Sequence, residues 1–566
     1  MGKRIRILTS SDVHGVLFPY EYAKGRGRNW GLAKLSGLIR SLRGPDTILI
    51  DNGDTLEGSP LSFYHYAKCP PLESPMTAAM AMMRYDFVNL GNHDFDYGPE
   101  ALFKHLENSG ARCLCVNISY RGDPLGSYAV RRICGKKLAF FAVCTQYVRN
   151  WEPEDKLEGF VLRDAFESAR ETAEKIRETE DPDYLICVYH GGFEKDPVTG
   201  EILSETDENE GFRMLTSIPE IDILITGHQH RKYCGVFRRA EGAGTAGAGP
   251  GACPEGTQGE DSAGPVDKAS GIIYTQTRDN GVELSCIEID AETGMICARI
   301  LPADAEPDQE LLLAAEGEEK DCQNWLDRPL GRSETDLRVI DEFDGRLHKS
   351  QLITFLNRVQ MEISGAQLAG SALFRGACGF GKEITMRDLV STYSFPNTLA
   401  VKLVSGKVLK AYLEKCAEFW ALNGDRIVVS ERFEKPVPMY FNYDMVDGVS
   451  YTIDVSRPVG SRIVRLETAA AAEQKDSGSA GFGTAQNGSG NGTVQQGCTV
   501  TDDMEFTLAV NNYRAAGGGG FDMLRDAPTI REIPMSMVDL LAEYIMKHKR
   551  IRFEPVENII VTAHTA

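Results

Sequence analysis

An α/β fold divided into two large domains is predicted from three observations. Short apolar runs alternate with amphipathic stretches through most of the first 300 residues, the pattern of strands interleaved with helices. A second region of the same character runs from roughly residue 340 to the end. At 566 residues, with 42% hydrophobic and 25% charged side chains, the chain has ordinary globular usage and ample length for sizeable cores. A wholly disordered or fibrous protein is excluded.

The expected strands of the first region are residues 5–8, 47–50, 87–90, 138–143, 184–188 and 221–225. Between the first two, Leu32, Leu35, Leu38, Ile39 and Leu42 recur at helical spacing. Residues 306–325 read as a helix connecting the domains. In the second region, 352–361 and 408–419 are expected helices and 399–403 a strand, with a turn at Ser405-Gly406. The expected domains are 1–304, a linker region over 305–339, and 340–566. Two stretches break the pattern. Residues 239–268 are rich in Gly, Ala, Pro and Glu, and 469–497 in Gly, Ala, Ser, Asn and Gln. Neither shows apolar periodicity, so both are expected to be surface insertions at hairpin tips. No fixed-period repeat of the solenoid kind is present.

The net charge of −21 gives no global support for binding a nucleic-acid polymer or an anionic membrane. Local cations can still receive a small anion. No apolar stretch is long enough to span a bilayer. Met1-Gly2-Lys3-Arg4 runs straight into the first expected strand without an apolar leader, and the 14 Cys are scattered. Both features lead to the expectation of a cytoplasmic protein with reduced thiols.

The chemistry concentrates in five polar clusters placed just after apolar runs. These are Asp12-Val13-His14, Gly53-Asp54, Gly91-Asn92-His93-Asp94, His190-Gly191-Gly192 and Gly227-His228-Gln229-His230. Loops at the carboxyl ends of strands converge on one edge of an α/β sheet, so clusters far apart in sequence can form one site. Half of the 10 His fall in them. Imidazole, carboxylate and the Asn carbonyl all suit divalent cations, and no cluster contains the thiolate of a structural zinc site. A carboxylate can bridge two such ions, which then clamp the oxygens of an in-line displacement.

In this order, the five clusters resemble those of the calcineurin-like metallophosphoesterases, and more narrowly the 5′-nucleotidase and 2′,3′-cyclic-nucleotide 2′-phosphodiesterase branch. The resemblance implies a four-layer α/β/β/α catalytic domain followed by an α/β nucleotide-binding domain. It implies two divalent metal ions (Mn, Zn, Fe, Co or Mg), one held by Asp12, His14, Asp54 and His230 and the other by Asp54, Asn92, His190 and His228. It makes His93 and Asp96 a catalytic dyad and also places Asn92 among the substrate-binding residues. Tyr393 to Leu399, Phe441-Asn442-Tyr443-Asp444 and Asn511-Asn512-Tyr513-Arg514-Ala515 extend the likeness to the second domain. There Tyr443 and Tyr513 match the two aromatics that sandwich the nucleobase, in a cleft between the domains.

Arg375 after Ser371-Ala372-Leu373-Phe374, and Gly519 within the glycine run, are closer to the cyclic-phosphodiesterase/3′-nucleotidase pattern than to the 5′-nucleotidase one. The expected function is therefore a metal-dependent 2′,3′-cyclic-nucleotide 2′-phosphodiesterase/3′-nucleotidase acting on a nucleotide or cyclic nucleotide. The alternatives are a 5′-nucleotidase or UDP-sugar hydrolase, and a noncatalytic nucleotide-binding protein.

Overall fold

The computed structural model describes residues 3–69, 72–152, 156–204, 206–238, 261–393, 397–435, 438–468, 497–533, 535–553 and 555–563. The expected insertions fall outside these residues over 239–260 and 469–496, as do Ser394, Phe395 and Pro396. The chain forms two units, Met1–Leu326 and Asp327–Ala566.

Two mixed sheets make the centre of the first unit. One runs in the order Ser262–Asp267, Met295–Pro302, Glu283–Asp290, Arg4–Ser10, Thr47–Asp51, Phe87–Val88 and Arg112–Cys113. The other runs Tyr233–Arg238, Gly271–Gln276, Ile223–Thr226, Tyr184–His190, Lys136–Cys144 and Ala129–Ile133. Their inner faces meet through Ile5, Ile7, Ile48, Ile50, Phe140, Ile186, Val188, Ile223 and Ile287, one packed apolar layer. These residues alternate along each strand with Leu8, Leu49, Phe141, Cys187 and Leu224, which face the other way and are also buried.

Helices cover the outer faces. Helix Ala165–Glu180 buries Phe166, Ala169, Ala173 and Ile176 against the second sheet. Its Asp164 cap accepts the Glu167 N–H at 2.7 Å. Helices Leu32–Leu42, Pro60–Lys68 and Pro75–Met83 lie on the first sheet's side, and Gln309–Leu326 packs against all three. That last helix, expected as the connector, belongs to the first unit. Proline at the first turn of two of these helices follows a Ser cap, Ser59 or Ser74, whose oxygen takes an orphan N–H.

The strands flanking the first insertion pair as expected, from Tyr233 opposite Gln276 to Arg238 opposite Gly271. Residues 262–267 do not follow the expectation of an unstructured surface insertion, because they form an edge strand on Met295–Pro302. The second insertion sits at the tip of a short antiparallel pairing, Glu467 opposite Thr499, and not between the two strands expected to flank it. Ile463–Thr468 pairs with Val449–Asp454, whereas Glu505–Asn511 lies in another sheet. Apolar alternation marks both strands but carries no information about their partner.

The second unit is built on a five-stranded sheet in the order Asp444–Asp447, Leu368–Ala372, Glu505–Asn511, Leu399–Ser405 and Thr529–Ile533. Helices Gln351–Ser364 and Gly406–Ala417 stand where the apolar spacing places them. At one end of this sheet the Arg514 guanidinium is only 2% exposed. It donates to Asp444 Oδ2 at 2.6 Å and to the Phe441 carbonyl at 2.7 Å, with Phe521 stacked 3.8 Å from its carbon. Tyr412 O–H donates to the same Asp444 oxygen at 2.6 Å. Asp444→Asn should therefore leave an uncompensated buried cation and destabilise the unit by about 3–5 kcal/mol. Chemical denaturation of the full chain reads this as an early transition; an unchanged midpoint would refute the pairing.

Candidate metal centre

All five sequence clusters meet at one edge of the first unit. Arg4–Ser10, Thr47–Asp51 and Phe87–Val88 run parallel, so the residues after each lie side by side. Lys136–Cys144, Tyr184–His190 and Ile223–Thr226 do the same in the second sheet. His190 is the last residue of its strand, and His228 follows Thr226 by one glycine.

Backbone strain marks the same residues. Asp12, His14, Asp54, His228 and His230 have φ of 55°, 51°, 53°, 69° and 54°, a left-handed conformation that side chains with a Cβ adopt at a cost. Their neighbour Gly53, at φ 86°, is required by the packing, since a Cβ there would lie 2.2 Å from the Gly91 nitrogen. The tight turns aim consecutive polar groups into one pocket.

Three groups of candidate ligand atoms result among the described residues. Asp12, His14 and His230 form one and Asp54, His190 and His228 a second, the two the sequence predicts, while Glu57, His93 and Asp96 form a third. His14 Nε2 lies 2.9 Å from His230 Nε2, and His230 Nε2 lies 3.6 Å from Asp12 Oδ1. Asp54 stands between the first two groups, its Oδ2 3.2 Å from His190 Nε2 and 3.8 Å from His14 Nε2. Asn92 Oδ1 is 3.2 Å from His190 Nε2. The predicted ligand residues are thus brought together. His93 and Asp96 are beside them, with Nδ1 3.1 Å from Asp96 Oδ2. The His93 backbone N–H donates to Asp54 Oδ1 at 2.7 Å.

The electrostatics fit divalent cations. Asp54 is fully buried. Burial opposes its ionisation, but His190, His93 and His14 outweigh burial and hold it well below the usual carboxylate range. Burial works against a charge on His190 too, yet Asp54 and then Asp12 push it up to about 9. The carboxylates demand positive charge at this point, a demand that a divalent ion meets. Burial, then His230, keeps His14 well below its ordinary value. With its Nδ1–H donated to the Glu57 carbonyl at 3.2 Å, neutral His14 turns a bare lone pair toward His230. Two imidazole nitrogens face to face, beside a buried carboxylate oxygen, are the donor set of a bound metal.

Several supporting roles in the site were not legible in the sequence, including that of Asp94 within its recognised cluster. Asp94 accepts four backbone N–H groups, from Asp54, Thr55, Leu56 and Gly91, at 2.8 to 3.1 Å. It locks two ligand loops together. Burial, then the charge of Asp54, pushes it up to about 6. Asn89 donates to Asn52 Oδ1 and to the Val143 carbonyl, both at 3.0 Å. Asn52 donates in turn to the Tyr189 carbonyl at 3.2 Å, which stitches the two sheets at the site. Glu57 Oε2 lies 3.5 Å from His93 Nδ1, and Glu208 Oε1 lies 2.9 Å from His228 Nε2. Lone Asp, Asn and Glu residues in loops carry no distinguishing pattern.

The aromatic pair of the second unit needs one correction. Tyr443 is 0% exposed, stacked on Phe419 at 4.8 Å and edge-on to Trp420 at 5.4 Å. A ring so enclosed has no face for a base. Phe441, two residues earlier in the short helical turn Tyr440–Asn442, is half-buried and lies 6.1 Å from Tyr513. Three residues complete such a turn, so positions two apart point in different directions. Gly519 cannot carry a side chain, because a Cβ would lie 2.0 Å from Asn442 Oδ1. Arg375 is exposed.

Residues 5–232 match the family description "Calcineurin-like phosphoesterase", and residues 329–526 match "5'-nucleotidase, C-terminal domain". A 2′,3′-cyclic-nucleotide 2′-phosphodiesterase/3′-nucleotidase of Salmonella typhimurium is 25% identical over 91% of this chain and 81% of its own length. The trifunctional nucleotide phosphoesterase protein YfkN of Bacillus subtilis is 25% identical over 97% of this chain, which spans only 38% of that protein. A solved structure of a candidate 5′-nucleotidase from Staphylococcus aureus is 29% identical, with a TM-score of 0.82 over 99% of this chain and 100% of that one.

The comparisons overturn the expectation of a cytoplasmic protein. Similar proteins include Protein UshA of Yersinia enterocolitica and one named as a 5′-nucleotidase precursor, from Thermus thermophilus, a name for a chain that is processed after synthesis. The first residues of this chain do not decide its compartment. No helix of the described residues is long and apolar enough to cross a membrane.

Proposed function

This chain belongs to the calcineurin-like phosphoesterases that carry a 5′-nucleotidase C-terminal domain, and on that premise we propose that it hydrolyses nucleotide phosphoesters as a 2′,3′-cyclic-nucleotide 2′-phosphodiesterase/3′-nucleotidase. The observation that carries the reading is the Asp54 carboxylate, buried between His14 and His190 with its Oδ2 3.8 and 3.2 Å from their Nε2 atoms. Asp12, His14, Asp54 and His230 would hold one divalent ion, and Asp54, Asn92, His190 and His228 the other. Such a pair supplies Lewis-acid charge for phosphoryl oxygens and lowers the pKa of water beside phosphorus.

The chain's own residues do the rest. Asp96 holds Nδ1 of His93, so Nε2 is the nitrogen left to carry a proton. There His93 stabilises charge on the phosphoryl group or delivers that proton to the departing ribose oxygen. The His93 backbone N–H on Asp54 Oδ1 ties the proton donor to the carboxylate that would serve both ions. Burial opposes a charge on His93, but Asp96, Asp54 and Glu57 outweigh it and hold the imidazole well above its ordinary value, the state a proton donor needs.

In the second unit, Tyr513 and Phe441 are the aromatic faces proposed for the nucleobase. Base stacking of this kind is worth about 1–3 kcal/mol. Tyr513→Ala should raise KM for nucleotides roughly tenfold, while small phosphodiesters lacking a base are hydrolysed at the unchanged rate. Equal losses on both substrates would reject the stacking role.

Rates on 2′,3′-cyclic AMP, 3′-AMP and AMP, measured side by side, test the substrate class. The cyclic and 3′ esters should be preferred. The likeness to the Staphylococcus aureus protein favours a second reading, 5′-nucleotidase, and preference for AMP would establish it.

A further inference from the structure

We propose that Glu208 is a positioning residue of the second cation site: its carboxylate accepts the Nε2 proton of His228 and so leaves Nδ1 as the ligand nitrogen. This inference rests on the two-cation reading above.

The tautomers of the other site histidines frame the argument. His14 donates its Nδ1–H to the Glu57 carbonyl at 3.2 Å, and His190 donates its Nδ1–H to the Asn52 carbonyl at 2.7 Å. Both rings therefore present Nε2 to Asp54, at 3.8 and 3.2 Å. His228 makes a different contact. Its Nε2 lies 2.9 Å from Glu208 Oε1, an oxygen that can only accept a hydrogen bond when ionised. The proton belongs on Nε2, and Nδ1 is the nitrogen with a lone pair.

Glu208 is held as a fixed support is held. Its carbonyl accepts from Thr145 Oγ1 at 2.8 Å and from Tyr189 O–H at 3.3 Å, so its backbone is tied to the ends of two central strands. The next residue, Asn209, accepts the Gly192 N–H at 2.7 Å. The following Glu210 N–H donates to Tyr189 Oη at 3.2 Å. On the His228 side, the backbone N–H donates to Asp12 Oδ1 at 2.9 Å, and the Trp151 ring lies 5.3 Å from the imidazole at 31°. The main chain and one ring face are thereby set, and the remaining freedom is rotation and tautomer, which the carboxylate removes. A carboxylate on the far nitrogen also raises the basicity of the ligand nitrogen, more than the neutral carbonyls do for His14 and His190. Losing such a support costs roughly 10–100-fold in metal affinity.

The test uses the full chain and Mn(II) alone, with bound metal counted by equilibrium dialysis and mass spectrometry. Wild type should hold two ions. Glu208→Ala should weaken one of the two by roughly 10–100-fold and leave the other unchanged. Glu208→Gln keeps an acceptor oxygen and should stay within a few-fold of wild type, a rescue that direct ligation by the carboxylate would not give. Two ions at wild-type affinity in Glu208→Ala would overturn the proposal. So would an equal loss in both variants, which would make Glu208 itself a ligand. A wild type that never holds two ions overturns the two-cation reading, and this inference with it.

Discussion

Asp54→Asn is expected to abolish binding of the cation pair and to lower nucleotide hydrolysis by about 10³-fold or more, equivalent to about 4 kcal/mol of transition-state stabilisation. The reason is position. Among the described residues, Asp54 is the one carboxylate within 4 Å of an imidazole from each predicted ligand group, and it is fully buried. The amide keeps the size and can still accept the His93 N–H that now goes to Oδ1. It removes the negative charge that draws two cations together, and it offers a hydrogen-bond donor where an ion should sit. Folding should survive, because Asp94 still fastens the loops and the amide oxygen still accepts the His93 N–H. Metal counting and steady-state rates on the same sample check this. A variant with full turnover in chelated buffer would remove Asp54 from the centre of the mechanism.

His93→Gln should show a different pattern. General acid catalysis contributes roughly 10²–10⁴-fold, so kcat should fall within that range. Metal content should stay at two ions, since the His93 side chain groups with Glu57 and Asp96 and not with either predicted ligand set, and its backbone N–H is retained. KM should change little, because the lost interaction is made in the transition state. Asp96→Asn should produce a smaller version of the same effect, as the orienting carboxylate on Nδ1 is weakened. A His93 variant that loses an ion instead would reassign the residue from proton donor to ligand.

The contrast between these variants reflects what was readable in the chain. The site's outline was legible because parallel strands put their carboxyl ends together, so Asp12, His14, Asp54, Asn92, His190, His228 and His230 converge once the strands are recognised. The left-handed φ values of Asp12, His14, Asp54, His228 and His230 add a signal invisible in the sequence, where only the adjacent glycines hint at tight turns. The supports were not readable. Asn52, Asn89 and Glu208 act through partners tens to hundreds of residues away, and nothing local distinguishes them from ordinary loop residues, while Asp94 stood in a recognised cluster whose sequence did not reveal that it ties two loops together. Tyr443 shows the opposite failure. Its motif pointed to a ligand face, but a tight helical turn hands that exposure to Phe441 and sends Tyr443 into the core against Phe419. Strand partners were equally hidden. Residues 262–267 read as low-complexity sequence, yet they bury Ala263 on the edge of a seven-stranded sheet.

The proposed function stands on separate loops of the first unit creating a two-cation centre that hydrolyses nucleotide phosphoesters. The decisive experiment follows 2′,3′-cyclic AMP hydrolysis by the purified chain while bound metal is counted through chelation and Mn(II) readdition. Turnover should vanish as the ions leave and return in step with the second ion per chain. Sustained hydrolysis by metal-free protein would refute it.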